Sequence, residues 1–238
     1  MKLDMLAFGA HPDDVELHAG GTLAKMAALG YAVGAVDLTR GELGTRGTPA
    51  ARAKEARDAA AILGLKVREN LRFPDGDVAV TPAARLKVIR VLRKYRPQII
   101  LTHYWDDPHP DHAHTSRLIT EAVHHSGLAK IETGQERHRP PVILYFKLPL
   151  NMAPSFVVDI SDYADRRSAA IAAHRSQLHD PDGGGLQTIL SRPDFLTHVE
   201  NRYSYYGTMI GKSKGEGFYF KDALAIKDPL AHFSGNNA

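Results

Sequence analysis

The stretch Met5-Leu6-Ala7-Phe8-Gly9-Ala10-His11-Pro12-Asp13-Asp14 decides the fold. Its first four residues form a short apolar strand, and a glycine and a polar cluster follow at once. A helix is predicted over 17–29, because Leu23, Met26 and Leu29 recur near helical spacing, although Gly20-Gly21 weakens its first turns. Gly30 then stops it.

Working outward, the same unit repeats. Strands are predicted over 32–38, 67–73 and 99–102. Thr48-Pro49 and Thr81-Pro82 each offer a cap followed by a first-turn proline, opening helices that run to Gly64 and to about Tyr95. A further helix is expected over 111–125. This alternation predicts an α/β fold with a Rossmann-like, mostly parallel sheet and helices on both faces. Sites in such sheets form at the carboxyl ends of the strands. The second half is less regular, with strands expected over 142–147 and 156–160, helices over 163–178 and 195–210, and a glycine-rich loop over 179–186. No repeat or low-complexity linker interrupts the chain. The expectation is one domain over 1–238, with a core of about 1–125 and a C-terminal elaboration of about 126–238.

Composition narrows the function. Of 238 residues, 43% are hydrophobic, enough for one large core. The formal net charge is only +3 and no dense Lys/Arg run carries interleaved aromatics, which argues against a nucleic-acid partner. The absence of cysteine excludes disulfides, thiolate metal sites and a cysteine nucleophile. No run reaches the ~20 apolar residues of a membrane helix, and no signal peptide is visible. A cytoplasmic protein without a membrane partner is expected.

Two polar motifs follow predicted strand ends. The first is His11-Pro12-Asp13-Asp14 and the second is His109-Pro110-Asp111-His112. His and Asp are good zinc ligands at neutral pH, and three protein ligands leave a position open for water, as in catalytic sites. Two adjacent carboxylates exceed what a ligand set needs, so one can act as a base. Each motif alone also reads as a helix start, since Asp caps helices and complements the macrodipole. Two such motifs after two strands of one sheet are better explained by a shared metal.

On these motifs the chain resembles the LmbE-like, or PIG-L, family of zinc-dependent N-deacetylases. The family's first motif usually continues with Glu, whereas here Val15 follows and Glu16 comes one later. The resemblance implies His11, Asp14 and His112 as ligands of Zn2+ (Fe2+ suits the same donors). It implies Asp13 as general base, His109 as oxyanion stabiliser, and Asp111 as the partner that favours the charged form of His109. Arg52, Asp75 and Arg139 are implied near a sugar. Among subgroups, Asp13-Asp14-Val15-Glu16, Asp37-Leu38-Thr39-Arg40-Gly41-Glu42, His174-Arg175-Ser176-Gln177 and Gly215-Glu216-Gly217-Phe218 are similar to bacillithiol biosynthesis deacetylases. The implied reaction converts N-acetylglucosaminyl malate to glucosaminyl malate and acetate. The implied assembly is a homo-oligomer, often a hexamer in relatives.

Other readings stay open. A thiol-conjugate amidase or a chito-oligosaccharide deacetylase would share the metal motifs. A Rossmann-like binding module with a structural metal would need a closed four-ligand site. Its nucleotide form would need Gly-x-Gly-x-x-Gly after the first strand, where two carboxylates stand instead. His103 is expected to be structural, His114, His124 and His125 solvated or packed, and Tyr203, Tyr205 and Tyr206 core or interface aromatics.

Overall fold

The computed structural model describes residues 1–181 and 185–234. Strands and helices alternate from the start: β1 (Met5–Gly9), α1 (Asp14–Ala28), β2 (Val33–Thr39), α2 (Pro49–Leu63), β3 (Val67–Phe73), α3 (Pro82–Tyr95), β4 (Ile99–His103), α4 (Pro110–Ser126) and β5 (Val142–Phe146). There follow β6 (Phe156–Asp159), α5 (Ala164–Ala172), α6 (Phe195–Met209), β7 (Gly215–Phe220) and α7 (Pro229–Ser234). The two threonine caps form as expected: Thr48 Oγ1 accepts from the Ala51 amide at 3.2 Å and Thr81 Oγ1 from the Ala84 amide at 3.1 Å. Among the described residues no helix is long and apolar enough to cross a membrane.

The strands form one sheet in the order β3-β2-β1-β4-β5-β7-β6. The first five run parallel, and β7 is antiparallel to both β5 and β6. Successive side chains of a strand point to opposite faces. Leu6 and Phe8 therefore join the core under α3 and α4, while Met5 and Ala7 join the core under α1. The α/β fold with a mostly parallel sheet is thus as the sequence predicts. Because β1 pairs with β2 on one side and β4 on the other, the strand order reverses at β1. A crevice opens there, beyond the carboxyl ends of β1 and β4.

Three local expectations are corrected. Helix α1 starts at Asp14, three residues before the apolar periodicity, because the Asp14 carboxylate accepts from the His11 amide at 2.8 Å and closes the entry turn. The helix expected over 163–178 stops at Ala172. Beyond it a turn buries His174 and Gln177, and the Ser176 amide and hydroxyl bond Glu55 of α2 at 2.8 and 2.7 Å. Strand β7 was not expected, since two glycines and a glutamate hide its pattern. Close packing requires those glycines: a Cβ on Gly215 would lie 2.5 Å from Val157, and one on Gly217 2.8 Å from the Tyr206 ring. The loop expected over 179–186 lies partly outside the described residues.

Candidate metal centre and active site

The crevice becomes a cavity of about 1200 Å3, with both polar motifs in its lining. The β1–α1 turn supplies His11, Asp13 and Asp14, and the β4–α4 segment supplies Asp107, His109 and His112.

His11 Nε2 lies 3.0 Å from Asp75 Oδ1 and 3.3 Å from Asp111 Oδ2, while its Nδ1 lies 3.5 Å from Asp14 Oδ2. Burial alone would lower the His11 pKa, but the carboxylates of Asp111, Asp14 and Asp75 push it up to about 12. So much negative charge around one ring suits a cation. His112 Nε2 faces Asp14 Oδ1 at 3.3 Å, and its Nδ1 lies 3.2 Å from Asp107. Lys147, at the end of β5, completes this outer group, 2.8 Å from Asp107 Oδ2. Against the cost of burial, His112 and His103 hold the Asp14 carboxyl well below the usual range, so it is ionised.

Among the described residues, three overlapping triads have donor atoms within 4.8 Å of one another: His11, His109 and His112; Asp14, His103 and His112; and His11, Asp75 and Asp111. The predicted trio His11, Asp14 and His112 is not itself one of these groups: His11 and His112 meet in the first, Asp14 and His112 in the second, and the two histidines face different oxygens of Asp14. His103, expected to be structural, is fully buried with Nε2 3.2 Å from Asp14, and it stacks on His112 at 4.1 Å between ring centroids. Burial and the neighbouring His112 lower its pKa to about 4.

Asp13 occupies the position before α1 with φ 146, a region that residues other than glycine rarely adopt. Its carboxyl is buried, and burial raises its pKa against the pull of Arg52. Arg52, expected near a sugar, is itself buried. Its guanidinium donates to Asp13 Oδ2 at 3.2 Å and to the carbonyls of Pro12 and Gly41 at 3.1 and 3.2 Å. It therefore braces Asp13 and the loop after β2. Behind Asp13 a cavity of about 10 Å3, room for one water, is lined by His174 and Gln177.

The expected Asp111–His109 pairing takes another form. The Asp111 carboxylate accepts from the Gly76 and Val78 amides at 2.8 and 3.2 Å and faces His11. Its amide, not its carboxylate, meets His109, donating to Nδ1 at 3.2 Å. The reason is helical geometry: His109 is the N-cap of α4, and Asp111 sits in its first turn. Since Nδ1 accepts, the proton of the neutral His109 ring is on Nε2. Burial and the neighbouring His112 and His11 lower the His109 pKa, which favours that neutral form, while Asp14 and Asp111 pull the other way, Asp111 in the expected sense.

Asp75 reaches the cavity but is committed to His11 and to the Leu43 amide, 2.8 Å away. Arg139 does not reach it. It packs on Gly127, just beyond the far end of the 17-residue helix α4. A helix of that length separates its two ends by roughly 25 Å. Asp107, Lys147 and His103 were missed. Asp107 had a visible signal, an acid two residues before His109, whereas Lys147 comes from another strand and had none.

His114 and His124 are exposed, as expected. Tyr203 and Tyr206 are buried, and Tyr205 is exposed at the cavity.

Known proteins share this fold and most of this length. The family described as "PIG-L: GlcNAc-PI de-N-acetylase" matches residues 6–123. Diacetylchitobiose deacetylase of Thermococcus kodakarensis is 30% identical, over 96% of this chain and 87% of the relative. A Bacillus cereus protein named "Probable N-acetyl-alpha-D-glucosaminyl L-malate deacetylase 2" is 30% identical, over 74% of this chain and 84% of its own. The crystal structure of a conserved protein from Thermus thermophilus, TT1542, superposes with a TM-score of 0.85 and 39% identity, covering 94% of this chain and 98% of that one. A family match that spans both motifs, a superposable fold and near-complete coverage by a 30% identical relative leave one conclusion: the chain belongs to the PIG-L family of de-N-acetylases.

Proposed function

We propose that the chain is a metal-dependent hydrolase that removes the acetyl group from an N-acetylglucosaminyl conjugate. The observation that carries this reading is a buried carboxylate, Asp13, adjacent in the chain to Asp14, which both His11 and His112 face.

The donor set fits a divalent cation held by His11, Asp14 and His112. The far nitrogen of His11 faces the carboxylates of Asp75 and Asp111, which leaves its near nitrogen to ligate. His112 Nδ1 stands 2.7 Å from Lys147 Nζ and 3.2 Å from Asp107, and its Nε2 faces Asp14. Zn2+ suits these ligands, and Fe2+ does also. Such a cation supplies Lewis acidity, polarising the amide carbonyl and bringing the pKa of water to about 7.

The remaining steps belong to the protein. Asp13, with its raised pKa, takes the proton of the attacking water. His109 donates from neutral Nε2–H to the carbonyl oxygen as charge develops there. Asp13 then returns its proton to the leaving amine. That assignment follows because Asp13 then holds the proton beside the site, while the His109 Nε2–H is engaged with the carbonyl oxygen. Arg52 keeps Asp13 in place.

The finer proposal is malate as the aglycone, supported by the motifs shared with malate-conjugate deacetylases and by the Bacillus cereus relative. A chito-oligosaccharide is the second reading, favoured by the Thermococcus relative that matches 96% of the chain. The test is metal analysis followed by acetate release from N-acetylglucosaminyl malate, diacetylchitobiose and free N-acetylglucosamine. Asp13→Asn should abolish release while metal content stays at the wild-type level. Near-normal turnover in that variant would remove Asp13 as the base, and equal rates on all three compounds would remove the malate assignment.

A further inference from the structure

At about 1200 Å3 the cavity exceeds the roughly 300–1,000 Å3 usual for small-molecule sites. One wall is α6, whose Phe195, Val199, Arg202 and Tyr206 share a face at helical spacing. Among the described residues, three lysine or arginine side chains line the cavity: Arg52, Lys147 and Arg202. Arg52 is paired with Asp13 and Lys147 with Asp107. Arg202 has no carboxylate partner among the described residues. Its hydrogen bond is from Nη1 to the Leu148 carbonyl, at 3.1 Å. A guanidinium carries five N–H donors, so most of its fork is uncommitted. It is half-buried beside Phe195, Val199 and Tyr206, where a cation without counter-charge is costly. A planar fork in such a place suits two-pronged pairing with a carboxylate.

We propose that Arg202 binds a carboxylate on the aglycone of the substrate and so selects conjugates that carry one. The inference rests on the deacetylase reading of the same site, and it assigns α6 the task of reading what the sugar is attached to. Arg202 is a specificity residue, apart from the groups that act on the amide. The effect of its charge reaches inward: burial lowers the His18 pKa most, and Lys147 and Arg202 lower it further.

The test compares wild type with Arg202→Gln and Arg202→Lys, after thermal melting and metal content have been matched. Acetate release is followed with N-acetylglucosaminyl malate, N-acetylglucosamine 1-phosphate and diacetylchitobiose, and binding of free L-malate is titrated by calorimetry. Arg202→Gln should raise KM for the malate conjugate at least about ten-fold, the loss of a charged hydrogen bond. Its kcat should hold, and KM for diacetylchitobiose should stay within about two-fold. Arg202→Lys should recover part of the loss, and L-malate should bind Arg202→Gln at least about ten-fold more weakly. An equal change on all three substrates, no change on the malate conjugate, or a response confined to the phosphate would overturn the proposal. If the wild type releases no acetate from any compound, the deacetylase reading has failed. The L-malate titration then still decides Arg202: weakening upholds it, and unchanged binding sinks it.

Discussion

His109 shows how one backbone hydrogen bond alters a chemical role. The motif His109-Pro110-Asp111-His112 invites a charged histidine stabilised by a neighbouring aspartate. The fold instead turns the Asp111 carboxylate toward His11 and the Gly76 and Val78 amides, and uses the Asp111 amide to fix the His109 tautomer. A neutral Nε2–H donor needs no acid to charge it. His109→Ala should therefore lower kcat by at least ~10² while metal content stays constant. Loss of metal in that variant would make His109 a ligand instead, since its ring shares a triad with His11 and His112. Asp13 is the other residue whose backbone matters. Its φ of 146 is held by α1 on one side and by Arg52 on the other, and strain of this kind persists only where the surroundings enforce it.

Helix α1 carries Asp14 in its first turn, so its seating sets the site. Gly20-Gly21 weakens the prediction of this helix, yet both residues lie well inside it. A Cβ on Gly21 would stand 2.6 Å from Ile160 Cδ1 and 2.9 Å from Ile160 Cβ. The glycine thus admits the chain leaving β6 against the helix. On β7, the buried Glu216 accepts from the amides of Gly21 and Thr22 at 2.9 and 2.7 Å, and the Tyr203 hydroxyl of α6 donates to the Leu17 carbonyl. Gly21→Ala should be destabilising despite the better helix propensity of alanine, by about 1–2 kcal/mol net. Urea unfolding reads this directly, and a more stable variant would show that Ile160 moves aside freely.

Across the whole molecule, a buried charge network ties α1 to the sheet. Arg68 of β3 pairs with Glu16 of α1 and, at 2.8 Å, with Asp37 of β2. His174, beyond α5, stands 3.6 Å from Glu16. Burial alone would raise the Glu16 pKa, but Arg68 and His174 hold it at about 2. A carboxyl depressed in the folded state contributes stability above its unfolded pKa and loses it as pH falls. Glu16 therefore stabilises the fold above about pH 4.5, and the contribution fades between there and pH 2. Asp37, raised by burial to about 6, acts in the opposite sense at higher pH, so the Glu16 loss is read below about pH 4. The stability gap between wild type and Glu16→Gln should shrink as pH falls from about 4 to about 2.5. Urea midpoints measured along that range check it, and a constant gap would place the Glu16 stabilisation outside its charge.

The parallel half of the fold and the two motifs were legible in the sequence alone. Apolar runs and Thr-Pro helix starts are local signals, and His11, Asp13, Asp14, His109 and His112 sit just past strand ends whatever else the chain does. The tertiary structure decided what those residues face. Arg52 became the brace of Asp13, and Asp75 and Asp111 became partners of His11. His103, Asp107 and Lys147 joined the site, and Arg139 stayed at the far end of α4. Strand β7 was hidden because its glycines answer to Val157 and Tyr206 rather than to any period in the chain. Periodicity records which side of an element is apolar. Charge pairing, tautomer and close approach depend on residues far apart in sequence, and only the packed sheet brings those together.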